Sequence, residues 1–316
     1  MRYSVTGATG FVGEAVARLL RQDGHQVVAL VRDPARAGRL TDLGVDLVRG
    51  DLDDAAAMEE LCTDTDGLFH VAGWYRLGSR DPEQGWRTNV QGTRQVLAAV
   101  REAKVPRVVY TSTLAVNSDT GGRTVDESYR FTGRHLSVYD ETKARAHQVA
   151  EQEAADGLPV VTVMPGLVYG PGDTSQAGAM IAAVIAGRRP LIHDGGRVCW
   201  AHVDDVARGH LLAMQHGTTG EAYMLAGEQA SLADGLRRLA HLAGTRGPIV
   251  LPAQGVRAGA ALAGVVGRVV PMPPLYAAES MRASLATYLG TPAKTERALG
   301  WSSRPLDDGL AELARG

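Results

Sequence analysis

The sequence is poor in cysteine and in lysine. Its 316 residues include only two cysteines, Cys62 and Cys199, which lie far apart and without the paired spacing of a metal site. This scarcity excludes a disulfide-stapled scaffold, predicts no metal centre and indicates a reducing compartment. The basic residues are almost all arginine, so each of the lysines retained in the chain is a candidate for a particular role. They are Lys104, Lys143 and Lys294.

Excess charge of either sign and long apolar segments are also missing. The formal net charge is −2, which gives no basic surface for nucleic acid or an anionic membrane, so neither is expected as a partner. The longest apolar tract, 258–271, contains Arg268 and is shorter than the roughly 20 residues of a membrane-spanning helix. We interpret it as a buried or pocket-covering helix. No signal-peptide pattern precedes the first apolar run, so we expect a cytoplasmic protein.

A glycine-rich turn near the start of the chain separates an apolar run at 3–5 from a helical pattern at 11–20. Gly7, Gly10 and Gly13 recur at intervals of three. Such glycines let the backbone turn tightly, approach a pyrophosphate and pack the following helix on the sheet, while the helix N-terminus favours an anion. A simple turn with a capping glycine is the alternative. The position of the turn, between strand and helix, favours dinucleotide binding by these glycines and their neighbours Thr9, Phe11 and Val12.

Apolar runs and helical segments alternate through the first half of the chain. The runs lie at 3–5, 26–31, 45–48, 67–71, 107–111 and 160–164. This alternation is typical of a parallel sheet with helices on both faces. After about residue 190 it loosens into short strands and several helices, including 203–216 and 232–243. We therefore predict an α/β fold, with a doubly wound parallel Rossmann sheet in residues 1–165 and a smaller substrate-side lobe in 166–316.

The end of the second strand indicates which dinucleotide is bound. NAD enzymes carry an acid there for the adenosine ribose, but this chain has Val31 followed by Arg32, with Arg36 nearby. Guanidinium groups can hold a 2′-phosphate, so NADP is expected in preference to NAD; a solvated arginine face is the alternative. After the third strand, Asp51 and Leu52 are expected beside the adenine, although Asp51 is equally suited to capping the next helix.

Small residues follow the fourth strand, where a cofactor must lie against the backbone. We assign Ala72 and Gly73 to cofactor contact, and we interpret the preceding His70 as a packed, hydrogen-bonded residue. Trp74 and Tyr75 open the next loop, and either line a substrate pocket or have a structural role. Asn89 lies within a helical stretch where it is a poor helix former, which suggests a polar task near the site.

Three hydroxyl residues end the fifth strand, and a tyrosine–lysine pair begins the helix after the long polar loop 118–135. The hydroxyl residues are Thr111, Ser112 and Thr113, of which Thr111 and Ser112 are assigned to the cofactor. Tyr139 and Lys143 lie four positions apart in the sequence, at i and i+4, so they share one face of a helix. A free phenol has a pKa of about 10, and a nearby cation favours its ionised form, so we expect Lys143 to lower the pKa of Tyr139. A surface pair is the alternative.

The order of these motifs resembles the extended short-chain dehydrogenase/reductase superfamily. The matching segments are Thr-Gly-x-x-Gly-x-x-Gly at 6–13, Asn-Val-x-Gly-Thr at 89–93, the hydroxyls before Leu-Ala-Val at 114–116, Tyr-x-x-x-Lys at 139–143, Pro-Gly-Leu-Val-Tyr-Gly-Pro-Gly at 165–172 and Trp-Ala-His-Val-Asp-Asp-Val at 200–206. Val-Arg-Asp-Pro at 31–34 and Phe-His-Val-Ala-Gly at 69–73 look most like the dihydroflavonol reductase branch of the NAD(P)-dependent epimerase/dehydratases.

The resemblance implies a catalytic set of Thr113, Tyr139 and Lys143. It also implies that the side chains of Tyr139 and Lys143 touch the cofactor. It further implies that backbone from Pro165 to Val168 contacts the nicotinamide, that the substrate lobe is discontinuous, and that helices at about 86–103 and 139–155 form a homodimer. Tyr169 is expected at the substrate. Asp204 and Asp205 are interpreted as structural, capping the next helix.

These residues predict reversible hydride transfer between NADP(H) and a small-molecule carbonyl or alcohol. Tyr139 is the acid/base, Thr113 bonds the substrate oxygen, and Lys143 also holds the ribose. Two alternatives remain. A nucleotide-sugar epimerase or dehydratase uses the same residues, and a non-catalytic NADP-sensing regulator would keep the glycine turn but would not need the tyrosine–lysine pair.

Overall fold

The computed structural model describes residues 1–75, 81–254 and 278–316 of the chain. Its strands are β1 (Arg2–Thr6), β2 (Gln26–Val31), β3 (Asp46–Arg49), β4 (Gly67–His70), β5 (Val108–Thr111), β6 (Val160–Pro165), β7 (Leu167–Tyr169), β8 (Leu191–His193), β9 (Arg197–His202), β10 (Ala222–Leu225), β11 (Glu228–Ala230), β12 (Ile249–Leu251) and β13 (Thr287–Tyr288).

The helices of the described residues alternate with these strands. They are α1 (Phe11–Gln22), α2 (Gly38–Asp42), α3 (Ala55–Cys62), α4 (Glu83–Gly85), α5 (Gly92–Glu102), α6 (Val138–Ala155), α7 (Gln176–Ile185), α8 (Val203–His216), α9 (Leu232–Leu242), α10 (Ala278–Leu285), α11 (Ala293–Leu299) and α12 (Leu306–Arg315). A π-helical segment, Trp86–Gln91, joins α4 to α5.

Seven parallel strands of the described residues form the main sheet, in the order β10-β6-β5-β4-β1-β2-β3. Tyr3 lies opposite Val27 of β2 on one side and Gly67 of β4 on the other, which fixes the register of β1 between these two strands. Because all the strands run the same way, their carboxyl ends meet at one edge, where ligands bind in sheets of this type. This confirms the predicted doubly wound parallel sheet.

The two faces of the sheet are covered by different helices. One core cluster joins α1 and α8 to strand residues such as Val5 and Val109. A second cluster joins α3, α5 and α6 to residues such as Val108 and Tyr110. Alternate residues of β5 therefore point into opposite layers, as the two-residue period of a strand requires. The inner strands are largely apolar because both faces are buried, with buried polar residues such as Thr6 and His70 at the strand ends.

The C-terminal half builds a smaller second sheet and also completes the first. β9 pairs with β7, β11 and β13, and β8 pairs with β12. A third core cluster, containing Trp200 and Leu236, packs α7, α9 and α12 on this sheet. β10 returns to the main sheet and pairs in parallel with β6. The two halves are thus interleaved, and the boundary near residue 165 stays a prediction.

The predicted elements agree with the structure within about two residues, but one cap is different. The acids expected to cap α8 are not the cap, because His202 precedes the helix and its side chain accepts from the Asp204 N–H. Asp205 instead binds the guanidinium of Arg304. The apolar tract 258–271 lies outside the described residues. Within the described ranges, no helix has both the length and the apolar character needed to cross a membrane.

Gly13 shows how tightly the first helix packs on the glycine turn. A Cβ atom at this position would lie 2.2 Å from the carbonyl oxygen of Gly7, whose backbone φ is +75°. Since that oxygen accepts from Gly10 N–H at 3.0 Å, it cannot move without opening the turn. Gly38, in contrast, has nothing within 4 Å of the position of an added Cβ.

Gly13→Ala is therefore expected to lower the free energy of unfolding by about 1–3 kcal/mol, the usual cost of forcing an extra methyl into a packed interior. Urea unfolding followed by circular dichroism measures the change. Gly38→Ala is the matched control and should leave the unfolding midpoint within experimental error of the parent. Equal midpoints for the two variants would contradict the packing argument.

Candidate active site

The glycine turn forms a cradle at the carboxyl edge of β1. A Cβ at Gly7 would lie 2.5 Å from the backbone nitrogen of Ala72, so only glycine fits where this turn meets the end of β4. Gly10 is the N-cap of α1 and has no side chain to bond the first N–H groups of the helix. Thr9 and Gly10 are exposed. The helix N-terminus therefore presents uncapped donors suited to an anion.

Arginines surround the end of β2. Arg32 and Arg36 are exposed, and neither guanidinium makes a hydrogen bond or ion pair with the part of the chain that the structure describes. Asp33 accepts from the Ala35 N–H at 3.1 Å and so faces the following turn, as expected. Arg39 contacts Glu14 at 3.4 Å. Two guanidinium groups are therefore available beside the cradle.

The third strand is followed by the residues assigned to the adenine. Asp51 is exposed and accepts from the Leu52 N–H at 2.8 Å. The helix after it is capped by Asp54, whose side chain accepts from the Ala57 N–H. The alternative role of Asp51 as this cap is therefore wrong. Leu52 is buried and packs against Gly92 of α5.

Asn89 lies in the π-helical segment and clamps the loop that follows β4. Its Oδ1 accepts from the Trp74 N–H at 2.7 Å, and its Nδ2 donates to the Trp74 carbonyl at 3.1 Å and to the Thr142 hydroxyl at 2.9 Å. Trp74 is only 5% exposed and its ring packs on Gly85. The polar task expected of Asn89 is thus a backbone clamp, and the described contacts of Trp74 are structural.

Tyr139 and Thr113 meet at the carboxyl edge of β5. The Thr113 hydroxyl caps a short 3-10 helix by accepting from the Ala115 N–H, and it also forms a hydrogen bond with the Tyr139 hydroxyl. The ring of Tyr75 stands edge-on to that of Tyr139, with 4.8 Å between centroids, and is half exposed. Burial, reinforced by Tyr75, raises the pKa of Tyr139, and the bond to Thr113 opposes this only in part. The phenol is neutral at pH 7.

Lys143 lies one turn further along α6. Its Nζ donates to the Thr111 carbonyl at 2.7 Å and to the Tyr110 hydroxyl at 3.3 Å. Burial lowers the pKa of Lys143 to about 7. The expected lowering of the pKa of Tyr139 by Lys143 is thus outweighed by burial in this structure. Gly73 borders the same space, because an added Cβ there would lie 4.0 Å from Nζ.

The other hydroxyls at the end of β5 bind buried histidines. Thr111 Oγ1 lies 2.8 Å from His210 Nε2, and Ser112 Oγ lies 2.8 Å from His147 Nδ1. Burial lowers the pKa of His210 to about 4, so this imidazole is neutral. Thr111 and Ser112, which we assigned to the cofactor, therefore use their hydroxyls inside the protein. The carbonyl of Thr111 holds Lys143.

The residues assigned from the C-terminal half lie along β6 and β7. Pro165 is buried at the end of β6 opposite Leu225, and Val168 is half-buried opposite Ala201. Tyr169 is 1% exposed and its ring packs against those of Trp200 and His202. These contacts of Tyr169 belong to the core of the second sheet.

Sequence reasoning missed several polar groups beside the predicted triad. Tyr288 of β13 donates to the buried carboxylate of Asp140 at 3.0 Å, which brings the C-terminal lobe to the first turn of α6. His147 and Tyr110 contact residues of the same strand end. The available signal was a polar residue at a position that the strand or helix pattern marks as buried.

One group of possible metal ligands occurs among the described residues. His202, Asp204 and Glu312 offer atoms that lie within 4.8 Å of one another. Asp204 binds Arg18 at 2.5 Å, and Glu312 binds Arg304 at 2.9 Å. Each carboxylate therefore already has a guanidinium partner, and the group joins α1, α8 and α12 as an ion-pair network.

Comparisons with known proteins identify the family of this chain. The model of the NAD dependent epimerase/dehydratase family matches residues 3–226. A Synechocystis sp. relative, provisionally named dihydroflavonol 4-reductase, is 38% identical over 78% of this chain and 74% of its own length. A Stigmatella aurantiaca relative named 4-hydroxy-2-methyl-3-oxo-4-farnesyl-3,4-dihydroquinoline-1-oxide ketoreductase is 35% identical over 96% of this chain and 92% of its own.

A solved structure gives the same result for the fold. The crystal structure of gox2253 is 32% identical, with a TM-score of 0.86 over 99% of this chain and 96% of that one. The predicted resemblance to extended short-chain dehydrogenases is thereby confirmed. This chain has the Rossmann fold and belongs to the NAD dependent epimerase/dehydratase family, in which the relatives named above are reductases.

Proposed function

We propose that this chain is an NADPH-dependent reductase that converts a ketone or aldehyde into an alcohol, reversibly, with Thr113, Tyr139 and Lys143 as its active-site residues. The observation that carries the proposal is the neutral Tyr139 phenol, hydrogen-bonded to Thr113 and one helical turn from Lys143, at the sheet edge that also holds the glycine cradle. The Stigmatella aurantiaca relative is named a ketoreductase, and a Stenotrophomonas maltophilia relative, 31% identical, is named 2-alkyl-3-oxoalkanoate reductase.

The cradle suits a dinucleotide. The backbone of Ala72 lies too close to Gly7 for a Cβ there, and the N-terminus of α1 offers uncapped N–H donors to the pyrophosphate. Arg32 and Arg36 would hold the 2′-phosphate, Asp51 and Leu52 the adenine, and Ala72, Gly73 and the backbone from Pro165 to Val168 the ribose and nicotinamide. When bound, the reduced dinucleotide supplies a hydride.

Tyr139 acts as the general acid in the reducing direction. Because burial raises its pKa, the phenol keeps its proton at neutral pH and can release it to the carbonyl oxygen as negative charge develops there. Thr113 Oγ1 bonds the same oxygen and holds the substrate in line with the phenol. In the reverse direction the phenolate accepts the alcohol proton.

Lys143 assists as a positive charge held in a buried site. Its ammonium is anchored to the Thr111 carbonyl, beside the phenol, where it favours the anionic form of Tyr139 that follows proton release. With a pKa of about 7, Lys143 is near half protonation at neutral pH in the protein without ligands. The negative charge of a dinucleotide would favour its charged form.

Tyr75 is the best-supported substrate contact. Its ring is half exposed and stands against the ring of Tyr139, so an aryl or alicyclic ketone reaching the phenol would pack on it. Trp74 would support this residue from beneath rather than touch the substrate, since its ring is buried. The homodimer through α5 and α6 and the cytoplasmic location stay predictions.

Cofactor turnover distinguishes this reductase from the epimerase alternative. Pseudomonas aeruginosa PA4631, described as a nucleoside-diphosphate-sugar epimerase, aligns with a TM-score of 0.80 at 26% identity. We expect one equivalent of NADPH to be oxidised for each carbonyl reduced, measured by absorbance of the reduced cofactor across a panel of ketones, aldehydes and nucleotide sugars. Interconversion of a nucleotide sugar with no net change in NADPH would instead establish an epimerase.

Tyr139→Phe tests the assignment of the general acid. We expect the rate constant for turnover to fall by about 100- to 10,000-fold, the usual contribution of a positioned acid, while the dissociation constant for NADPH stays within about twofold. Steady-state kinetics and fluorescence titration measure the two quantities. Tyr129→Phe removes a phenol hydroxyl that is bonded to Arg123, and should keep full activity. Normal turnover by Tyr139→Phe would rule out the mechanism.

Arg32→Ala tests the choice of dinucleotide. A guanidinium bond to a phosphate contributes roughly 1.5–3 kcal/mol, and about 1.4 kcal/mol is tenfold in affinity. We therefore expect the parent to prefer NADPH at least tenfold, and the variant to lose most of this preference while binding NADH unchanged. Isothermal titration with both dinucleotides reports the ratio. Arg39→Ala, which removes a guanidinium bound to Glu14, is the control. Equal affinities in the parent would identify Arg32 as a solvated surface residue.

A further inference from the structure

A buried line of polar contacts leads away from Lys143 into the protein. Lys143 Nζ donates to the Tyr110 hydroxyl, which also interacts with the side chain of Thr93. Thr93 Oγ1 lies 3.0 Å from His70 Nε2, and His70 Nδ1 lies 2.8 Å from Thr6 Oγ1. The four residues behind the lysine are at most 1% exposed. The line therefore connects α6, β5, α5, β4 and β1 without contact with solvent.

While Lys143 is charged, the direction of the first bond in this line is fixed. An ammonium has three donors and no acceptor, so the Tyr110 oxygen accepts from it. The Tyr110 hydroxyl keeps its own proton for a second partner, for which Thr93 is available. The Thr93 and Thr6 hydroxyls can each donate or accept, so either tautomer of His70 satisfies the contacts beyond Tyr110. Burial, with a further contribution from Lys143, lowers the pKa of His70 to about 3, so its imidazole is neutral.

The far end of the line reaches the glycine cradle. Thr6 Oγ1 also accepts from the Ala72 N–H at 3.4 Å, and Thr6 directly precedes Gly7. Ala72 N is the atom that a Cβ on Gly7 would strike. The buried line thus begins at the cation of the active site and ends at the backbone that forms the cofactor cradle.

We propose that Tyr110, supported by Thr93 and His70, is a positioning residue. It holds the Lys143 side chain between the Thr111 carbonyl and its own phenol oxygen, and it stabilises the charged form of the lysine. Burial alone works against that charge. The hydrogen bond to the Tyr110 oxygen is stronger when its donor is the charged ammonium than when it is the neutral amine. The Tyr110 hydroxyl therefore favours the charged form of Lys143.

The titratable groups around Lys143 come from several elements. Tyr139 precedes it and His147 follows it on α6, Tyr110 faces it from β5, and His70 acts on it from β4. Burial raises the pKa of Tyr110, so this phenol stays neutral.

The scarcity of lysine makes a direct test possible. Selective carbon-13 labelling of lysine gives signals from only three side chains, and Lys104→Arg and Lys294→Arg assign the remaining one to Lys143. A pH titration of this signal by NMR should have a midpoint near the pKa of about 7 that burial produces. It reports the charge of Lys143 in the protein without cofactor or turnover.

Tyr110→Phe removes only the hydroxyl and keeps the buried ring. We expect it to lower the Lys143 midpoint by about one pH unit, because a hydrogen bond to a charged group is lost. Thr93→Val removes the acceptor behind Tyr110 and should lower the midpoint in the same direction by a smaller amount. Tyr223→Phe, which removes a buried hydroxyl from a ring lying under Lys294, is the matched control and should leave it unchanged.

A Lys143 midpoint within about 0.2 unit of the parent in Tyr110→Phe would overturn the proposal. An equal shift in Tyr223→Phe would do the same, because it would show a general effect of losing a buried hydroxyl. If Tyr110→Phe does not fold, the Thr93→Val titration decides alone.

The inference rests on the proposed role of Lys143 in reduction. An inactive parent protein would overturn the proposed function, while the titration would still decide the role of Tyr110.

Discussion

The bond from the Lys143 ammonium to the Thr111 carbonyl is the contact on which the site depends. It ties the first turns of α6 to the end of β5 and so sets where Tyr139 stands relative to Thr113. A buried charge is costly unless it is hydrogen-bonded, which is why the surrounding groups are polar in an otherwise apolar sheet. The helix that carries Tyr139 is thus anchored to the sheet through Lys143.

Three buried histidines extend the same arrangement across the sheet edge. His70 contacts Thr6, His147 contacts Ser112 and His210 contacts Thr111, each from a different element. An imidazole offers one donor and one acceptor when neutral, so it can satisfy a strand hydroxyl and a second partner together. The carboxyl ends of the strands are therefore held by specific bonds, whereas the rest of the sheet is held by apolar packing. This gives a rigid support for a site whose parts come from separate segments.

The sequence predicted the sheet and the glycine turn because each depends on local periodicity or spacing, whereas the pairing of Thr113 with Tyr139 came from the family resemblance. Strand and helix patterns place those elements without any knowledge of distant contacts. The roles of Tyr110 and Tyr288 depend on which elements become neighbours, since each bonds a residue at least 33 positions away. The prediction that the pKa of Tyr139 is lowered was wrong for a related reason. A lysine four residues away suggests a lowered pKa, but the burial that raises it comes from the whole fold.

β10 has a consequence for how the chain acquires its structure during synthesis. This edge strand is the last to join the main sheet and pairs with β6, about 60 positions earlier in the sequence. A ribosome that has released only the first 165 residues leaves the hydrogen-bonding edge of β6 open, and an open edge invites association with other chains. The family match ends at residue 226, directly after β10. The segment that the family model matches is thus the one whose emergence closes that edge.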